Sequence, residues 1–84
     1  MITVLYFARL REALGRGSEH FALPAAVRDV DGLRALLVAR GAEWQQELEG
    51  GKAVRAAVNQ SVAQGDTPVA DGDEIAFFPP VTGG

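Results

Sequence analysis

One stretch of this 84-residue chain repeats apolar residues at helical spacing over its whole length: Val30, Leu33, Leu36 and Leu37, set between a capping Asp29 and a stopping Gly41. Gly32 in the first turn lowers helix propensity without cancelling the pattern. A lone amphipathic helix cannot bury its own apolar stripe, so the rest of the chain must supply the opposing surface. The flanks read as strands. Residues 1–7 are rich in β-branched and aromatic types, and residues 18–23 alternate and close at Pro24. Residues 53–58 also alternate, turning at Asn59-Gln60 into a short extended piece over 61–63. A further turn at Asp71-Gly72-Asp73 leads to a last strand over 74–78, ended by Pro79, which has no N–H for a ladder. Short helices are predicted over 8–14, before Gly15-Arg16-Gly17, and over 42–48, before Gly50-Gly51. The order is ββαββ with small inserted helices: an α+β domain with one main helix on one face of a mixed sheet.

The last strand places Ile75 and Phe77 on one face and Ala76 and Phe78 on the other; in the first, Ile2, Val4 and Tyr6 oppose Thr3, Leu5 and Phe7. Only one face can meet the helix. The surplus of large apolar residues on the other implies a partner surface, unless the chain's own short helices cover it. After Pro79-Pro80, which favour an extended direction, Val81, Thr82, Gly83 and Gly84 should stand off the sheet by about 13 Å. Two glycines without Cβ can thread a narrow channel and leave a terminal carboxylate open to attack or activation. The expected organisation is therefore a folded domain over residues 1–80 and a flexible working tail over 81–84. The alternative is a loose terminus without a destination.

Composition removes several classes of function. There is no cysteine, hence no disulfide, no thiolate nucleophile and no cysteine-held metal cluster. A net charge of −3 argues against a nucleic-acid binder, which needs a basic face. No apolar run approaches the ~20 residues of a membrane span, and no signal-type leader is visible, so a cytoplasmic protein is expected. Lys52 is the only lysine, which makes the chain a poor acceptor for isopeptide-linked polymers of itself. His20 reads as a surface residue, Trp44 as packing, and Asp71, Asp73 and Glu74 as turn chemistry lacking the spacing of a calcium loop. Gly15-Arg16-Gly17 precedes a strand rather than a helix and is no dinucleotide fingerprint. No nucleophile, base and acid set is apparent, and no bound metal or cofactor is expected.

Three segments carry a family resemblance: Val4-Leu5-Tyr6-Phe7-Ala8-Arg9-Leu10-Arg11-Glu12, Ala56-Ala57-Val58-Asn59-Gln60, and the run from Asp71-Gly72-Asp73-Glu74 through Phe77-Phe78-Pro79-Pro80-Val81-Thr82-Gly83-Gly84. They resemble the small subunits of molybdopterin synthase, which are ubiquitin-like sulfur carriers. The resemblance covers the whole chain and implies a β-grasp fold. It implies that the Gly84 carboxylate is adenylated by an E1-like adenylyltransferase using ATP and magnesium. A persulfide donor then converts it to a thiocarboxylate, and the tail (Val81, Thr82, Gly83, Gly84) enters the large subunit to give sulfur to cyclic pyranopterin monophosphate. The contact with the large subunit maps onto Phe7, Val62 and Phe78, and catalytic side chains would belong to that subunit, in a heterotetramer. The alternatives are a carrier for thiazole, cysteine or tRNA thiolation, a ubiquitin-like protein modifier, and a pure interaction domain.

Overall fold

A computed structural model describes residues 1–49 and 53–80. The element order is β1 (Ile2–Tyr6), α1 (Arg9–Leu14), β2 (Ser18–Phe21), α2 (Val30–Val38), α3 (Ala42–Leu48), β3 (Arg55–Val58), β4 (Ser61–Ala63) and β5 (Glu74–Phe78). The five strands form one mixed sheet in the order β2-β1-β5-β3-β4. Its centre is the pairing of the first strand with the last, parallel, with Val4 beside Ile75 and Tyr6 beside Phe77. Antiparallel partners flank this pair, β2 on β1 and β3 on β5, and β4 closes the far edge. With one principal helix packed on the sheet, this is the ubiquitin-like β-grasp expected above.

Each predicted element forms, with small shifts that have local causes. Asp29 caps α2 through its Oδ1, which accepts from the Gly32 N–H at 2.8 Å. A Cβ on Gly32 would sit 3.2 Å from that same oxygen, so the low-propensity glycine makes room for the cap. Other amides of the first turn are satisfied by the loop before β5: Val30 donates to the Thr67 carbonyl at 3.1 Å and Asp31 to the Gly65 carbonyl at 2.8 Å. At the other end α2 stops at Val38 with Ala39 as its cap, and Gly41 serves instead as the N-cap of α3, at a φ of 155°. Gly15 ends α1 in the left-handed conformation, as its position suggested. Asn59 and Gln60 both have positive φ, and they form the tight turn between β3 and β4.

The core lies between the sheet and the helices. Ile2, Val4, Tyr6, Ile75 and Phe77 face Leu33 and Leu37 of α2, and Leu10, Leu14 and Leu48 from the short helices join the same cluster. All three helices therefore pack on one side of the sheet. Arg34 of α2 reaches across to hold both flanks of the α3–β3 connection, donating to the Leu48 and Val54 carbonyls at 3.3 Å each.

One polar network is built into the margin of this core. Tyr6 is 1% exposed and its hydroxyl donates to Glu19 Oε2 at 2.6 Å. Arg40 grips the same carboxylate with both terminal nitrogens, at 2.7 and 2.8 Å, and lies 4.6 Å from the centre of the Trp44 ring. Desolvation works to raise the Glu19 pKa, but the hydrogen bonds from Arg40 and Tyr6, with the charges of Arg40 and Arg16, outweigh it and hold the carboxyl below its usual range. Burial, reinforced by Glu19, pushes the Tyr6 phenol up, so it stays a neutral donor.

Candidate functional site

The site grows out of what the helices leave uncovered. Strand alternation sends every second residue of β1 and β5 to the opposite face, and no described helix packs there. Register then aligns these residues across strands. Leu5 pairs with Ala76, Ala76 with Ala57, and Ala57 with Val62, giving one apolar row across four strands. At ~4.8 Å between strands the row spans roughly 14 Å. Val62 at its end is 72% exposed. Phe7 and Phe78 lie one step further toward the C-terminal ends of β1 and β5, where the Phe7 N–H donates to the Phe77 carbonyl at 3.2 Å. Phe7 is 47% exposed and Phe78 half-buried.

The alternative in which the short helices cover this face does not hold, because α1 and α3 contribute Leu10, Leu14 and Leu48 to the helix-side core. The face is polar at its other end. Thr3, between His20 and Glu74 in register, shares a 2.9 Å hydrogen bond with His20 Nδ1. Beside Phe78, the register places the exposed Arg55. An apolar centre edged by polar and charged groups is the anatomy of a protein-docking surface.

The structure thus brings Phe7 and Phe78 together at the end of the central strand pair and sets Val62 apart, joined to them through Leu5, Ala76 and Ala57. Pro79 and Pro80 follow Phe78 and are half-buried, so the chain leaves the sheet at the edge of this patch. The positions expected to form the tail, Val81, Thr82, Gly83 and Gly84, lie outside the described residues. Reading along the sequence placed Ala76 on the outer face with Phe78 but did not join it to Ala57, because small residues carry no pairing signal until register sets them side by side. Glu19 was missed too, although its inward place in the alternation of β2 was a clue.

The polar residues singled out above serve turns and packing. Among the described residues no group of three or more histidine, aspartate or glutamate side chains could hold a metal ion, and no helix is long and apolar enough to cross a membrane. Asp73 and Asn59 lock the β3–β4 turn to the turn before β5: Asn59 Nδ2 donates to Asp73 Oδ1, and Asn59 Oδ1 accepts from the Glu74 N–H, both at 3.0 Å. His20 is exposed on the sheet and Trp44 packs edge-on to Tyr6 with ring centres 5.6 Å apart.

The chain is similar to known proteins in sequence and in fold. The chain is 48% identical over 84 residues, covering all of both chains, to the molybdopterin synthase sulfur carrier subunit of Escherichia coli (strain K12). Among solved structures it is similar to SAMP1 of Haloferax volcanii, with 25% identity, 99% of this chain and 98% of that one covered, and a TM-score of 0.78. It is also similar to a chain in the protein–protein complex of subunits 1 and 2 of molybdopterin-converting factor from Helicobacter pylori 26695. There the identity is 27%, coverage 99% and 97%, and the TM-score 0.66. The ThiS family model matches residues 4–84, from β1 through the diglycine, and the chain belongs to that family.

Proposed function

We propose that this chain is the sulfur-carrier subunit of a molybdopterin synthase. The observation that supports it best is the uncovered apolar patch of Leu5, Phe7, Ala76, Phe78, Ala57 and Val62 at the place where the chain leaves β5 for a diglycine sequence. In this reading residues 1–80 form the docking domain, with Phe7, Val62 and Phe78 meeting the large subunit, and Val81, Thr82, Gly83 and Gly84 form the tail that enters its active site. The name of the Escherichia coli relative and the two-subunit complex from Helicobacter pylori favour the same assignment.

The chemistry follows from the group the chain offers. A carboxylate is a poor electrophile, so an E1-like adenylyltransferase, with ATP and magnesium, couples Gly84 to AMP and releases pyrophosphate. The terminal sulfur of a donor persulfide attacks the unhindered glycyl carbonyl and AMP leaves. A second thiol of the donor cleaves the acyl disulfide, leaving a thiocarboxylate on Gly84 and a disulfide on the donor. The thiocarboxylate is ionised at neutral pH and is a sulfur nucleophile, which is how a chain without cysteine carries sulfur. In the large subunit its sulfur attacks a carbon of cyclic pyranopterin monophosphate and displaces an oxygen substituent; water then cleaves the resulting thioester, leaving sulfur on the pterin and a free Gly84 carboxylate, and two loaded carriers supply the two sulfurs of the dithiolene. The chain is a covalent reactant rather than a catalyst; the acid and base groups belong to the large subunit, in a cytoplasmic heterotetramer.

The test is mass spectrometry of the chain and its co-purifying proteins from its own cells. An N-terminal tag suits it, because β1 and β5 are parallel and residue 1 lies at the opposite end of the sheet from Phe78. A recovered large subunit and a Gly84 bearing sulfur in place of one oxygen are expected. Deleting Gly83 and Gly84 should abolish sulfur loading while leaving docking; a truncated chain that still supports turnover overturns the tail mechanism. The likeness to SAMP1, a small archaeal modifier protein, favours a second reading as a protein modifier, and stable high-mass conjugates in the same preparation would support it.

A further inference from the structure

The apolar row on the outer face leaves the direction of docking weakly specified. Leu5, Ala76, Ala57 and Val62 run across the strands, and apolar contact is non-directional. A domain turned by half about the normal to the face would still bury the row, with its tail on the wrong side. Charge is directional, and this face carries it sparingly. Among the described strand residues on this face only Arg55 and Glu74 bear a full charge. They flank the row from opposite ends. Arg55 is exposed and pairs with Phe78, where the chain leaves the sheet. Glu74 starts the same strand β5, about 13 Å from Phe78, with Ala76 of the row between them. Arg9, Arg16 and Arg40 are spent on ion pairs within the domain, whereas Arg55 and Glu74 share none with any described residue. Neither belongs to the core.

We infer that Arg55 and Glu74 set the direction in which the domain docks: Arg55 meets a carboxylate that the large subunit carries beside the opening for the tail, and Glu74 meets a cationic side chain on the far side of the contact. This rests on the docking face proposed above. In the productive direction both pairs attract. Turned by half, arginine faces the cation and glutamate the carboxylate, so the penalty falls twice on the arrangement that misplaces the tail. Ion pairs at the rim of a contact add little affinity, so their signature is in association rate and salt dependence.

The decisive variant exchanges the two charges, Arg55→Glu together with Glu74→Arg, leaving net charge and every apolar side chain as they are. It is titrated by calorimetry and stopped flow into purified molybdopterin synthase large subunit at about 0.05 M and about 0.5 M salt, with thermal unfolding as the check on folding. The exchanged chain should bind about 10-fold more weakly at low salt, mostly through slower association, and the gap should close to about 3-fold or less at high salt. Arg55→Gln, a change at an exposed position, should lose about 3-fold at low salt and keeps the test open if exchange at the half-buried position 74 disturbs the sheet. Parental affinity of the folded variants at low salt, or a loss of equal size at both salt concentrations, overturns the inference. Phe78→Ala, which keeps both charges, tells the two claims apart. If it binds normally the docking face itself is wrong; if it alone loses affinity, only the direction-setting role of Arg55 and Glu74 is wrong.

Discussion

Phe77 and Phe78 are adjacent residues of one type on one strand, and they are used in opposite ways. Phe77 is 0% exposed, stacked beside Tyr6 with ring centres 6.5 Å apart and overlain by the Arg34 guanidinium. Phe78 is half-buried on the face without helices, paired across the ladder with Arg55. The inner face converts apolar area into folding stability within one chain; on the outer face comparable side chains receive no helix cover. A sheet this small can support both because its core draws on three helices from one side only.

The contrast can be broken most forcefully from the inside. Phe77→Ala should cost about 3–5 kcal/mol of folding free energy, a large part of the ~5–15 kcal/mol a domain possesses, and chemical denaturation would show it. Phe78→Asp should leave the denaturation midpoint nearly unchanged but weaken docking to the large subunit by about 30-fold, or ~2 kcal/mol, in calorimetric titration. A Phe78→Asp chain that unfolds easily and binds normally would reverse the assignment of the two faces.

The polar margin sharpens the comparison further, because it should affect folding alone. Glu19→Gln weakens the grip of Arg40 and should cost about 1.5–2 kcal/mol without altering docking. Its pH dependence has a definite sign. Glu19 is held below the usual carboxylate range, so its contribution is complete above the unfolded value of roughly 4.3 and disappears as pH falls through the folded one. The stability gap between the parent and Glu19→Gln should therefore be widest near neutrality and narrow in acid. The smallest effect expected is from Asp29→Ala, which removes the α2 cap at about 1 kcal/mol, again with normal docking.

Much of this was legible along the chain, where single residues carry local physics. Asp29, Gly15 and Pro79 mark element ends by capping, left-handed φ and a missing N–H, and those signals do not depend on the rest of the fold. The alternation in β1 and β5 separates Phe77 from Phe78 in the sequence itself. What could not be read was anything set by register or distance. Ala57 and Ala76 become one floor only when β3 pairs with β5, and Glu19 meets Arg40 across 21 positions of sequence. Ala8 was read as the first helical residue; its type II′ turn, normally signalled by glycine, is visible only in its dihedral angles.

The central pairing of β1 with β5 also governs when the protein can exist at all. Its innermost ladder joins Thr3 to Glu74 and Tyr6 to Phe77, contacts nearly as distant in sequence as the chain allows. Synthesis proceeds from the N-terminus, so β1 must wait, without its middle partner, until residues 74–78 have been made. A chain cut short before them lacks the strand that completes both the core and the patch. Completion of the fold thereby reports that synthesis has reached the segment leading to the diglycine, and an interrupted product presents no finished surface to compete for a partner.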